Sequence, residues 1–244
     1  MDPAVLVPEA AEYHRVGTST ELTVHLRDAT TDYGVPTLYA VQTSQVDPEL
    51  AQVVAATCDI DPQRALAKIY RELASLRIAL RSHARGPRAQ EIKGQDLTVV
   101  GGALADAELS MRHVFDFLLE GERPVHALDE IGTLPASRPG AGSGDSPDGA
   151  GGSAGSAAGP DPLEQVVANL ERAGAEAIVV DITTDEARQV GMHVIKALIP
   201  EAMPLSFSHH ARYLATPRLY EAPRAMGLTV HDEAGINPVR QPFA

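Results

Sequence analysis

The chain has 244 residues, is 44% hydrophobic and carries a formal net charge of −13. That length and apolar content suit one large domain or two small ones. The acidic balance excludes a nucleic-acid binder and a protein of anionic membrane surfaces, because both need clustered Lys and Arg.

Aromatic residues make up 4% of the chain and Trp is absent, so the core must be built from Ala, Val, Leu and Ile. The single cysteine, Cys58, excludes an intrachain disulfide and a cysteine-rich zinc site. It reads as a small buried packing residue, and a reducing cytoplasm is the simplest compartment.

Met1 to Glu12 carries no basic stretch or long apolar run and does not read as a signal peptide. No segment approaches the roughly 20 apolar residues needed to cross a bilayer. Leu22 to Leu26 alternates apolar and polar residues, as a half-buried strand does. Asp28 to Gly34 supplies turn residues, and Val35 to Gln42 reads as a second strand, so a β-hairpin is expected.

Asp61-Pro62 begins the clearest helix, with Asp61 as cap and Pro62 at the first helical position. Leu66, Ile69, Leu73, Leu76 and Leu80 then recur at helical spacing through Arg81. Glu72 lies on one flank of this stripe, beside Ala65 and Leu76, and Arg77 lies on the other. As residues alone, both read first as solvated flank charges. A further helix is expected from about Leu104 or Ser110 to Leu119. Gly101-Gly102 after Val99-Val100 is a weak phosphate-loop signal, since no lysine follows.

Arg138 to Pro160 is almost wholly Gly, Ser, Ala, Pro and Asp, the composition of a flexible linker. The expected organisation is therefore a segment 1–137, a linker 138–160 and a segment 161–244. Asp161-Pro162 starts the next helix, whose apolar face is Leu163, Val166, Val167 and Leu170 and whose C-cap is Gly174. Ala177 to Ile182 is a nearly continuous apolar run, as in a strand covered on both faces. Thr183 and Glu186 have capping-box spacing for a short helix ending at Gly191. His193 to Ile199 is the next strand, and the chain is turn-rich after Pro204. The fold class is α+β, with helices packed on a mixed, largely antiparallel sheet.

Asp181 at a strand end reads as the cap of the following turn or as a ligand-site residue. His209 and His210 lie near Ser206 and Ser208, but no glycine-flanked nucleophile elbow accompanies them. His193, His209 and His210 match no zinc-ligand spacing.

Several blocks, in order, resemble the YcaO family, and especially its azoline-forming cyclodehydratase branch. They are Leu26 to Ala40, similar to a strand hairpin of that family; Cys58 to Arg77, similar to its helix with Glu and Arg; and Val179 to Pro200, similar to its "VDLT … G … VVRVIVPG" segment. Arg212 to Leu219 is similar to "RYLG..RL", and Asn237 to Ala244 to the proline-rich tail.

The resemblance implies ATP and Mg2+ as cofactors and a peptide backbone as substrate. A Cys, Ser or Thr side chain of the peptide attacks the preceding amide carbonyl, ATP phosphorylates the oxygen, and loss of phosphate leaves a thiazoline or oxazoline. It also implies Glu72 as a metal and nucleotide ligand, Arg77 and Arg218 as phosphate contacts, and Pro238 and Pro242 as tail residues of the catalytic site.

The glutamate motif of the family's front half, serine-x-x-x-glutamate-x-x-glutamate-arginine, is not found; Glu120-Gly121-Glu122-Arg123 has the wrong spacing. Ser75 stands where the family usually has Gln or Glu, Arg240-Gln241 stands for a Pro-His pair, and Ala244 for the final proline. The chain thus resembles the C-terminal portion of the domain. The expected partners are a complementary YcaO-like or E1-like protein, in a hetero-oligomer or homodimer, and a precursor peptide. The alternatives are a non-catalytic scaffold that docks a precursor or partner enzyme, and a thioamide-forming component.

Overall fold

The computed structural model describes residues 8–18, 21–86, 99–120, 125, 127–132, 161–206 and 208–240. The expected linker 138–160 lies outside them, as does Pro242. Helix α1 (Pro8–Thr18) leads into a three-stranded antiparallel sheet of β1 (Leu22–Asp28), β2 (Thr37–Ser44) and β3 (Gln52–Cys58), in that order. Helix α2 (Pro62–Ala84) follows, then α3 (Val99–Ala107), a 3-10 segment (Leu109–Phe115) and the single turn α4 (Asp116–Leu119). The remainder comprises α5 (Pro162–Arg172), β4 (Ile178–Asp181), α6 (Asp185–Gln189), β5 (Ile195–Leu198) and α7 (Arg218–Ala225). The architecture is α+β with antiparallel sheets, as the sequence indicates.

The period-two pattern of β2 sorts its side chains to two faces. Leu38 and Ala40 join Leu66, Ile69, Leu73 and Leu80 of α2 in the main core. Val41, from the opposite face, pairs in register with Val54 and packs with Val114 and Phe115 of the 3-10 segment. The sheet is thus covered on both sides. Strand β3 was not expected. It contains the strand formers Val53, Val54 and Thr57, but its first four residues are all buried, so it lacks the alternation of a half-buried strand, and its pairing with β2 is what identifies it.

Three further expectations are corrected. Cys58 is exposed, not buried: it ends β3, where burial gives way to exposure after Ala55. The expected helix ending at Leu119 starts at Val99 and breaks after Ala107, and Gly101 and Gly102 are buried within it rather than forming a phosphate loop. The segment after Pro204 contains α7, which carries Pro223 inside it.

The run around β4 also departs from expectation. It pairs only with β5, antiparallel, and all four of its residues are exposed, with Val179 at 60%. Neighbouring Ile182, Met192 and Ile195 are exposed as well. A contiguous apolar ribbon of this kind marks an association surface. The cap of α6 is Thr184, whose Oγ1 accepts the Ala187 N–H. Thr183 instead bridges to Val194, donating to its carbonyl and accepting its N–H.

Gly34 closes the β1–β2 turn at φ 64°, and a Cβ there would sit 3.2 Å from Asn169 Nδ2 of α5. Gly34→Ala should cost about 1–2 kcal/mol from left-handed strain plus that close contact. Gly174→Ala, at φ 72° with no atom within 4 Å, should cost less. Equal losses in chemical denaturation would show that the turn does not pack on α5.

Candidate functional site

The α2 helix positions two of the expected residues. Asp61 caps it, accepting the Gln63 N–H at 2.9 Å, and Pro62 occupies the first turn. With Leu66, Ile69 and Leu73 buried at 0% exposure, the rotation of the helix is fixed, and Glu72 necessarily faces outward. Glu72 is exposed and makes no hydrogen bond or ion pair among the described residues. Its carboxylate is open to a cation. Ser75, one turn further, is also exposed.

Arg77 has a different setting. Its side chain is 11% exposed. Nε donates to Gln42 Oε1 at 2.7 Å and Nη1 to the Leu50 carbonyl at 2.9 Å, with Asp47 at 3.7 Å. Nη2 is buried without a partner. Arg81 pairs with the same Asp47. Arg77, Arg81 and Arg85 recur every fourth residue, hence on one face of the helix, and line a groove of about 850 Å3 with Ser44, Asp47 and Glu49. Arg77 therefore clamps α2 to β2 and the β2–β3 connection.

Burial pushes the Asp47 carboxyl up, but the Leu50 N–H and the Arg81 and Arg77 guanidiniums outweigh it and hold it below the ordinary range. A depressed carboxylate stabilises the fold above its unfolded pKa, and that contribution is lost as pH falls through the folded value. The stability difference between the parent and Asp47→Asn should be full above the ordinary carboxylate range, about pH 4, and shrink as pH falls through the lower folded-state value. A pH-independent difference in urea titrations would remove the ion-pair explanation.

Arg218 opens α7 and reaches the β1–β2 turn. It grips Asp32 through both terminal nitrogens and lies over the Tyr33 ring, 3.7 Å from its centroid. This clamp ties α7 to the first sheet. Asp181 accepts the Thr183 N–H at 2.8 Å and pairs with Arg188 at 3.2 Å. Contacts with Thr183, side chain first and then backbone, together with Arg188 hold its pKa down to about 2. Asp181 thus caps the turn.

Pro238 lies in the stretch that, through Asn237 and Val239, borders a cavity of about 270 Å3 between the first sheet and the C-terminal segment. Ser206 and His209 border it too, but no hydrogen bond joins them among the described residues. A serine–histidine site is therefore not assembled. No bond or ion pair among the described residues links Glu72, Arg77 and Arg218 to one another.

Magnesium takes octahedral oxygen coordination and usually needs carboxylates together with nucleotide oxygens. Among the described residues no group of three His, Cys, Asp or Glu side chains is placed to hold a metal. One open carboxylate, that of Glu72, fits part of such a site and not the whole. Sequence reasoning missed Gln42 and Asp47, the partners of Arg77. The only signal was a polar residue closing β2 and an Asp-Pro turn after it.

Residues 1–203 match the family described as YcaO cyclodehydratase, ATP- and Mg2+-binding. A solved heterocyclase in complex with substrate and cofactor superposes with a TM-score of 0.59 at 18% identity, covering 95% of this chain and 26% of that one. The heterocyclase TruD superposes with a TM-score of 0.57 at 18% identity, covering 97% of this chain and 28% of that one. The chain spans about a quarter of the length of these structures. No curated protein matches it.

Proposed function

Because the chain belongs to the YcaO cyclodehydratase family, we propose that it is one component of an ATP-dependent enzyme that forms azolines in the backbone of a ribosomally made peptide. The carrying observation is Glu72. It is an open carboxylate on a helix whose rotation is fixed by a buried stripe, at the position where the resemblance calls for a metal ligand. A partner carrying the glutamate-rich part of the domain would supply the remaining ligands. The precursor peptide would enter between the two. In the bound state ATP with magnesium would activate the amide oxygen of the peptide.

The residues of this chain have separate tasks in that reading. Glu72 presents a carboxylate oxygen toward the shared site. Arg77, held by Gln42 and Leu50, fixes the depth of α2 against the sheet, and the phosphate contact that the resemblance implies for it would require its buried Nη2 to be uncovered. Arg218, committed to Asp32 and Tyr33, serves as a positioning residue that holds the C-terminal segment in place. Pro238 and Pro242 remain the proposed tail contribution to the catalytic site. The partner's docking surface is the exposed β4–β5 ribbon rather than α2 alone, since that is where apolar area is left open. The reducing cytoplasm is the compartment in which such a complex would work.

The test is turnover by the isolated chain and by the chain with its partner. The purified chain alone should show magnesium-dependent ATP hydrolysis no faster than a buffer control. Addition of a protein bearing the missing glutamate motif should restore hydrolysis and dehydrate the precursor, read as a loss of water in its mass. Robust hydrolysis by the single chain would overturn the shared site. Assembly without hydrolysis would favour a scaffold, and sulfur incorporation in place of water loss would favour a thioamide product.

A further inference from the structure

The cavity between the first sheet and the C-terminal segment has a chemistry of its own. Its volume is about 270 Å3, the share of roughly nine liquid waters and below the usual range for drug-sized ligands. A nucleoside triphosphate is too large for it. Its walls include Tyr39, Phe115, Leu219 and Val239, so most of the surface offered to a ligand is apolar.

The polar groups gather on the C-terminal segment. Arg212 lines the cavity and donates from Nη1 to the Asn237 carbonyl at 2.9 Å. No carboxylate pairs with it among the described residues, so its positive charge is not neutralised and its other N–H groups remain to be used. His209 also lines the cavity, and its Nδ1 is buried without a partner. A guanidinium without a counter-charge is built to receive a planar two-oxygen anion. Apolar walls beside it disfavour a polyanion, which would carry further charges into surroundings that cannot solvate them.

We propose that this cavity binds a small monocarboxylate with an apolar body, its carboxylate on Arg212 and its apolar part between Phe115, Leu219 and Val239. The C-terminal residue of a peptide and a free N-acylated amino acid share this chemistry. Glu72 does not line this cavity, and although Asn237 and Val239 of its wall flank Pro238, the test reads binding alone, so its failure would leave the proposed function standing.

The probes are N-acetyl-leucine, its uncharged amide, and a tetrapeptide ending in leucine, each titrated into the full chain by calorimetry and by NMR. N-acetyl-leucine should bind with a Kd near or below about 1 mM and at least about tenfold more tightly than the amide. A peptide that binds more tightly still would identify a peptide terminus as the source, and a weaker one the free acid. Arg212→Gln should abolish the preference for the acid over the amide. Leu219→Trp, which fills the cavity, should block all three probes while melting at the parent temperature. The proposal is overturned if acid and amide bind equally, if neither binds at about 5 mM, or if a folded Leu219→Trp protein binds as the parent does. The comparison of acid with amide on the parent protein decides the matter even if a variant fails to fold.

Discussion

Glu72→Ala, introduced into the complex reconstituted with its partner, should abolish ATP turnover and peptide modification while leaving assembly intact. Loss of a metal-ligating carboxylate removes a ligand that a water can replace only in part, and a reduction of at least about a hundredfold in kcat is expected. The fold should not suffer. Glu72 is exposed and makes no contact among the described residues, and Ala is the best helix former. Steady-state turnover, paired with sizing of the complex, checks both halves of the expectation. Unchanged turnover would make Glu72 a plain surface residue, and catalysis would then lie wholly with the partner. Glu72→Asp is an informative companion: it keeps the charge and shortens the reach, so partial activity would indicate ligation rather than bulk electrostatics.

Arg77→Met should be the most destabilising polar substitution on α2, at about 3 kcal/mol. It strands Gln42 Oε1 and the Leu50 carbonyl, both of which accept from Arg77, and leaves Asp47 with Arg81 as its remaining guanidinium partner. For a chain of this size such a loss lowers Tm by about 6–12 °C. Arg85→Met, at an exposed position on the same face, should stay within about 0.5 kcal/mol of the parent. Denaturant unfolding of the two variants gives the comparison. If both melt alike, the clamp contributes nothing and Arg77 is as available to a phosphate as Arg85.

The two substitutions also separate roles that the resemblance puts together. The carboxylate is open and makes no bond among the described residues, so its removal should be read in chemistry. The guanidinium is already committed, so its removal should be read first in stability. A kcat effect of Arg77→Met beyond what the unfolded fraction explains would show that Arg77 also meets the nucleotide.

How much of this was legible before the fold is seen depends on whether the controlling interaction is local. The α2 helix was: Asp61, Pro62 and the leucine stripe act within a few residues of one another, and the observed cap and buried face follow. So were the β1–β2 hairpin, the α5 start at Asp161-Pro162 and its stop at Gly174, where φ is 72°. Family membership was legible too, because it rests on the order of short blocks along the chain.

Other features were decided only by tertiary structure. Strand β3 has the strand formers Val53, Val54 and Thr57 but no period-two pattern, because its first four residues are all buried, and the ladder to β2 is what fixes it as a strand. The apolar run at β4 reads as a buried strand, yet whether a strand is covered depends on what packs over it, and here only β5 pairs with it. Arg77 and Glu72 look alike in sequence, two flank charges five positions apart. The fold separates them, because five residues advance the helix by well over one turn. That rotation carries Arg77 over the β2–β3 connection, where Gln42 and Leu50 bond it, and leaves Glu72 facing outward. Periodicity names the flank a residue occupies. Which flank meets another part of the chain is set by long-range packing, and that is what makes one of these charges a structural clamp and the other a candidate ligand.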